Sequence, residues 1–271
     1  MIEVEIPPGF VVREEAFKAA YENGFRIQLG VQGGWIGYGS TTARDNIWIA
    51  GTAGQPILWL LSVTHPGVAA ELEFPQTSLV AGPGFATYAL ATLHELHRAI
   101  DRAYKLGASL PDAPLEAFQR ATAHLPKETE VERLTVERVG QSLFREALME
   151  YWNGRCPLTG ITDPALLRAS HIVPWAECES DALRLDVHNG LLLSALWDAA
   201  FDAGLISFAD DGTILRSTKL SLEAVATLNL DTAPPIIPLT DLHRRNLERH
   251  RQRNGFERMN PSDMEENRQE R

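Results

Sequence analysis

The stretch from Cys156 to Asp211 constrains this chain more than any other part of it. In order it carries an isolated Ser170-His171-Ile172, a Pro174-Trp175 break, the segment Asp186-Val187-His188-Asn189-Gly190, an apolar Leu191-Leu192-Leu193, and two acids four residues apart, Asp198 and Asp202. Leu166–Val173 reads as a strand carrying His171 and ended by Pro174, and Asp186–Gly190 as a turn signal. Leu191–Ser194 follows as a second short strand. Ala195–Ala203 has good helix formers and is stopped by Gly204, so the two acids share one side of a helix. Two strands and a helix thus gather one imidazole, one amide and two carboxylates. His188 reads as a solvated turn residue.

Those residue types suit phosphodiester hydrolysis. The reaction needs a base to activate water and a cation to stabilise charge on phosphate and on the departing oxygen. His171, with a side-chain pKa near operating pH, fits the base. Asn189 either holds that imidazole or completes a metal shell. Carboxylates are hard oxygen ligands, which points to Mg²⁺ or Mn²⁺ before zinc. Taken singly, the acids are ordinary helix-surface residues and Asn189-Gly190 an ordinary turn; the case rests on their conjunction with His171.

Four segments agree in order and spacing: Cys156–Gly160 (CPLTG), Ser170–Trp175 (SHIVPW), Asp186–Leu193 (DVHNGLLL) and Phe201–Ile206 (FDAGLI). On these the chain resembles, over roughly residues 138–211, the HNH endonuclease family with its ββα-metal fold. The resemblance implies that His171 is the general base and Asn189 the middle asparagine. Asp198 stands where the last histidine usually does, and Asp202 where some members carry a second helix ligand. Ser170 replaces an Asp or His that often helps bind metal, and is a poor ligand. Many members brace the fold with paired Cys-x-x-Cys zinc knuckles. Here Cys156 has Thr159 at that spacing and Cys178 stands alone, so no structural zinc is expected. The hairpin at Gly204–Leu215 turns at Asp211-Gly212.

The N-terminal half reads as α+β. Phe10–Asn23 has helical periodicity, with Phe17, Ala20 and Tyr21 on one side. Arg26–Val31, Trp35–Tyr38, Asn46–Ala50 and Pro56–Val63 read as strands, the last buried on both faces. Phe85–Leu106, with Tyr88, Leu93, Leu96, Ile100 and Ala103 in phase, reads as an amphipathic helix stopped at Gly107. His94 and His97 lie three apart in HELH. Zinc-helix spacing requires four, so both read as helix-surface residues. Within Ser62–Leu72, His65-Pro66-Gly67 is either a strand-to-helix turn or the rim of a small apolar hollow made by Pro66 and Ala69. Such a hollow suits an atom larger and less hydrated than oxygen.

His65-Pro66-x-x-Ala69 resembles the sulfur-recognition motif of the sulfur-binding domain in McrA-type, phosphorothioate-dependent restriction endonucleases, over about residues 10–110. The resemblance implies that His65, Pro66 and Ala69 surround the sulfur of a modified linkage, with His65 where that family has Tyr. Asn23-Gly24-Phe25-Arg26 resembles the segment whose arginine, here Arg26, holds the modified backbone.

The 271 residues allow one large or two ordinary domains, and the expected division is 1–126, a modification reader, and 127–271, the nuclease. The charge-dense Lys127–Arg138 leads into a helix over Val139–Tyr151 on which Arg138, Gln141 and Arg145 either meet phosphate or face solvent. A net charge of −11 argues against a protein that coats nucleic acid, so phosphate attraction has to be concentrated on one face. The tail from Thr240, with Arg244, Arg245, Arg249, Arg251, Arg253, His243 and His250, is one such stretch; its alternative is a solvated helix. Beyond Asn260 the composition turns to that of a disordered segment. Two cysteines, no apolar run of membrane length and no secretory signal lead to the expectation of a reduced, cytoplasmic protein without membrane contact.

Together these features predict an α+β chain of two domains, a modification-dependent restriction endonuclease acting on phosphorothioate-modified double-stranded DNA. Homodimerisation is compatible, because one such site cuts one strand at a time. The alternatives are an HNH enzyme that reads methylated or otherwise modified bases, and a DNA-binding protein with a degenerate nuclease fold.

Overall fold

The computed structural model describes residues 3–126 and 129–256, and the chain divides into two compact units, Met1–Arg120 and Ala121–Arg271. Lys127, Glu128 and the tail past Asn260 lie outside the described residues.

The first unit is built on a five-stranded antiparallel meander, β1 (Ile27–Gln32), β2 (Trp35–Gly39), β3 (Asn46–Gly51), β4 (Trp59–Val63) and β5 (Ala86–Leu90), paired in sequence order. Every residue of β4 is buried, as its apolar run, broken only by Ser62, requires. Helices α1 (Phe10–Glu22), α2 (Pro66–Glu71) and α3 (Leu93–Ser109) pack on the sheet. A capping box joins Thr92 and Glu95 at the start of α3. The short α4 (Asp112–Thr122) follows.

Two expectations are corrected here. Phe85–Leu106 is not one helix: Tyr88 belongs to β5, paired with Leu61, and the helix starts only after Thr92. The apolar spacing suited both periods, and Thr92 with Glu95 marked the true start. On α1 the buried side is the small one, Val12, Ala16, Ala19 and Ala20, while Phe17 and Tyr21 are exposed. The small side chains let the helix backbone approach the sheet closely.

In the second unit the expected connector and helix are one element, α5 (Glu130–Tyr151), opened by a Thr129/Glu132 capping box. Strand β6 (Leu167–His171) pairs antiparallel with β7 (Gly190–Ser194), with Ser170 opposite Leu191 and His171 opposite Gly190. Between them lie a 3-10 turn at Trp175–Glu177, the short α6 (Asp181–Leu185) and a second 3-10 turn at Val187–Asn189. Helix α7 (Ala195–Asp202) packs on one side of the strand pair and α5 on it as well. The hairpin β8 (Ile206–Phe208) and β9 (Ile214–Arg216) turns at Gly212, whose φ of +84° is the left-handed conformation glycine favours. Helices α8 (Leu222–Thr227) and α9 (Asp241–Asn254) complete the unit, with α9 against β8 and the Val187–Asn189 turn. Among the described residues no helix is long and apolar enough to cross a membrane.

Candidate active site

Alternation along β6 sends neighbouring side chains to opposite faces. His171, the last residue of the strand, turns towards α5, where Phe144 stacks on it with ring centroids 3.7 Å apart and planes at 18°. Trp175 meets the imidazole edge-on at 5.6 Å. Nε2 lies 2.9 Å from the Arg184 carbonyl, and a carbonyl can only accept, so Nε2 carries the proton. The lone pair is therefore on Nδ1. Burial lowers the His171 pKa to about 4, against a partial rise from that carbonyl. The ring is neutral across the physiological range and able to take a proton.

Ser170 turns the other way, towards α7. Its hydroxyl is buried and has no hydrogen-bond partner. It lies near enough to the half-buried Asp198 to oppose the rise that burial imposes on that carboxyl, though outside hydrogen-bonding geometry; the cation of Arg168 opposes the same rise. Asp202, one turn along α7, is exposed; burial of its carboxyl and the charge of Asp198 raise its pKa, and Arg253 works against them. Ser170 thus lies beside Asp198, with Asp202 one turn along α7 from it. His171 sits on the adjoining face without a bond to the acids.

Among the described residues no three His, Cys, Asp or Glu side chains are placed to hold a metal ion. A fully enclosed protein cage is therefore absent from these residues. Mg²⁺ asks for less: it keeps several waters and takes one or two carboxylates together with substrate phosphate. A partly desolvated Asp198 beside an orphaned Ser170 hydroxyl meets that requirement, with hard oxygens only. Cys156 and Cys178 are both free and buried; the Cys178 thiol lies 3.4 Å from the Val173 and Pro174 carbonyls.

Asn189 is fully buried and engaged at both ends of its amide. Oδ1 accepts from the Val173 N–H (2.8 Å), while Nδ2 donates to the Val173 carbonyl (3.1 Å) and the Leu183 carbonyl (3.2 Å). It does not touch the imidazole. It pins the 172–189 segment whose Arg184 carbonyl does. Arg184 braces the same segment, donating to the Cys178 carbonyl (2.7 Å), the Trp175 carbonyl (3.2 Å) and the Asp181 carboxylate (2.8 Å). Nothing in the sequence marked Arg184 as more than a helix-surface cation. Arg168, beside Asp198, was also missed; its only signal is its place two residues before Ser170 on the same strand face.

Several other readings change. His188 is buried, with Nδ1 donating to Asp186 at 2.7 Å, so it is no solvated turn residue. Arg145 does not face solvent or phosphate freely: it donates to the carbonyls of Leu167 (2.8 Å) and Pro164 (2.6 Å) at the start of β6. His243 and His250 are core residues of α9. His94 is exposed and His97 partly so, the latter beside Asn23 at 3.2 Å.

In the first unit, a hollow of about 480 Å³ is lined by Pro66, Ala69, Ala70, Ala81, Phe85 and Ala86 among others. His65 is not on its rim. Its Nδ1 caps α2 by accepting from the Gly67 and Val68 N–H groups, and its Nε2 donates to Asp112 at 3.1 Å. A buried Asp45 fixes the turn from behind, accepting from the N–H groups of Thr64 (2.7 Å) and His65 (2.8 Å). Arg26 is exposed, with its guanidinium 5.3 Å from the centre of the Tyr21 ring, and does not line the hollow.

No curated protein matches the chain. The stretch that holds both strands, the His171 imidazole and the acid pair matches, over residues 156–209, the HNH endonuclease family.

Proposed function

We propose that the chain is a metal-assisted DNA endonuclease that acts on phosphorothioate-modified DNA. The observation that carries the nuclease reading is the state of His171: Nε2–H is committed to the Arg184 carbonyl, which leaves Nδ1 as a base at the end of a strand whose preceding residue, Ser170, turns to the other face towards Asp198. A scissile phosphate would straddle that strand end. Nδ1 takes the proton from the attacking water, and Phe144 and Trp175 keep the ring from rotating. Asp198, with the Ser170 hydroxyl and secondarily Asp202, would hold a divalent ion, Mg²⁺ or Mn²⁺. When bound, that ion supplies charge stabilisation on the phosphate and on the departing oxygen. Asn189 and Arg184 act at a distance, by holding the carbonyl that sets the tautomer.

The experiment is nicking of supercoiled plasmid, both phosphorothioate-modified and unmodified, by full-length protein with Mg²⁺ or Mn²⁺, compared with His171→Ala. Metal-dependent nicking lost in the variant, with DNA binding kept, is the expected result. Equal nicking by both proteins would sink the mechanism. No nicking by either would leave a DNA-binding protein on a degenerate nuclease fold.

The sulfur reading is supported by the hollow at Pro66 and Ala69, where small apolar side chains stand beside the polar Gln76, Thr77, Ser78 and Thr87. A pocket for a flipped base would ask for aromatic stacking partners, and Phe85 is the aromatic residue on this lining. His65 enters the proposal as the cap that positions Pro66, and Arg26 as a cation outside the hollow. Binding of one duplex with and without a single sulfur-substituted linkage decides it. Preference for sulfur that is lost in Ala69→Phe supports the reading; equal affinity for both duplexes rejects it and leaves the nuclease standing.

A further inference from the structure

Helix α9 divides its arginines between two sides. Arg244 donates to the Asp210 carbonyl (3.0 Å) and to Asp241 (2.6 Å), and Arg251 to the Phe208 carbonyl and the Asp210 carboxylate (both 2.8 Å). These two fasten the helix to the β8–β9 hairpin. Arg245, Arg249 and Arg253 are spaced i, i+4, i+8, so they share another side of the helix, and all three are exposed.

That second side runs along the nuclease site. Arg253 reaches Glu177 at 3.4 Å, in the turn whose Trp175 packs against His171, and its charge is felt at Asp202. One turn back, the charge of Arg249 is felt at Cys178 in the same segment. Among the described residues Arg245 and Arg249 form no ion pair. The Arg253–Glu177 pair is itself exposed, and such pairs contribute about 0–1 kcal/mol, so exchanging Glu177 for a phosphate costs little.

We propose that the Arg245–Arg249–Arg253 side of α9 is a rail for the sugar-phosphate backbone, leading the duplex into the site at Asp198 and Asp202. The proposal rests on the nuclease reading for its partner, DNA. Eight helical residues rise by about 12 Å, the length along the duplex axis of roughly three to four phosphates on one strand. In a chain of net charge −11, a row of cations of which, among the described residues, only Arg253 has an acidic partner is where a polyanion gains most. The rail lies beyond residues 156–209, the stretch that matches the family.

The test uses full-length His171→Ala protein, so that cleavage does not intervene, and an unmodified duplex titrated across about 50–300 mM NaCl. Adding R245Q/R249Q/R253Q should flatten the plot of log affinity against log salt by about 2–3, since each lost phosphate contact removes about 0.9. Affinity at the lowest salt should fall about tenfold to a hundredfold, with the melting temperature unchanged. R245K/R249K/R253K should keep the parent slope. An unchanged slope in the glutamine variant, a lysine variant as weak as the glutamine one, or no binding by the parent at low salt each overturns the rail. Plasmid nicking by the wild-type protein judges the nuclease reading separately: nicking with an unaltered slope in the glutamine variant discards the rail alone.

Discussion

Phe144 lies flat on the His171 ring because Gly190, the register partner of His171, has no side chain. A Cβ at Gly190 would stand 2.5 Å from Phe144 Cζ and 2.7 Å from Leu148 Cδ1. The glycine backbone is extended, with φ at −148°, so an alanine is allowed there by conformation and excluded by packing. The Asn-Gly pair that reads as a turn is a strand start, and its glycine is a space for the ring that backs the base.

Gly190→Ala should therefore damage catalysis without altering any group that touches substrate. Overpacking a buried site costs about 1–3 kcal/mol, and relief requires Phe144 to leave the imidazole. We expect a lower melting temperature by calorimetry and nicking reduced at least about tenfold, the effect of a barrier raised by about 1.4 kcal/mol. Wild-type stability together with wild-type nicking in this variant would refute the packing account.

Asn189→Asp keeps the size of the side chain and removes both amide protons. The new carboxylate would face the carbonyls of Val173 and Leu183, which now accept those protons, in a fully buried place. A buried charge that keeps the Val173 N–H at one oxygen but faces carbonyls with the other costs about 3 kcal/mol or more. Urea unfolding should show that loss as a lower midpoint. A change under about 1 kcal/mol would mean that the segment is held elsewhere, with Arg184 as the next candidate.

Much of this was legible in the sequence, and the exceptions have physical causes. Strand, strand and helix around His171, Asn189, Asp198 and Asp202 follow from period and punctuation alone, because a short apolar run between breakers has few other uses. The grouping of Ser170 with the acids came only from the family resemblance; what produces it is strand alternation, which turns Ser170 towards α7. Roles were harder than places. Asn189 and His188 look like polar turn residues, yet both are buried, and what buries them is α5, α9 and the 172–189 segment closing over them, contacts distant in sequence. Tyr88 was assigned to a helix because its spacing of eight from Leu96 fits either period; pairing with Leu61 decided for the strand. The basic tail has the composition of a solvated helix, and only the fold separates arginines bound to the hairpin from those left outward.

The two acids of α7 should differ in weight. Asp198 is partly buried beside the orphaned Ser170 hydroxyl, whereas Asp202 is exposed and takes its perturbation largely from burial of the carboxyl and from Asp198. Asp198→Asn should remove Mn²⁺ binding in calorimetric titration and lower nicking by about a hundredfold or more, the scale of losing a positioned charge at a reacting phosphate. Asp202→Asn should weaken both by a smaller factor. Equal losses in the two variants, or retained Mn²⁺ binding in Asp198→Asn, would move the ion's anchor away from Ser170 and Asp198.

Three histidines whose pKa burial lowers make the second unit sensitive to acid. Burial lowers His171 and His250 to about 4 and His243 to about 3, the last helped by the neighbouring His188 and Arg244. Above the unfolded value of about 6.5 both states are neutral and these groups contribute no pH dependence. Below it the unfolded chain binds protons that the folded chain refuses, so stability falls as pH drops, down to the folded pKa values. Each histidine contributes at most about 1.4 kcal/mol per pH unit in that window. Asp198 and Asp202, with raised values, act in the opposite sense nearer pH 4. The melting temperature should be flat between about pH 7 and 8 and fall steeply between about pH 6 and 4.5. His250 keeps both ring nitrogens bonded, to Ser207 and to the Phe201 carbonyl; the carbonyl favours the proton and offsets part of what burial does. A melting temperature that stays flat down to about pH 4.5 would show that these rings are protonated in the folded protein, and with that His171 would lose its standing as a base kept neutral by its surroundings.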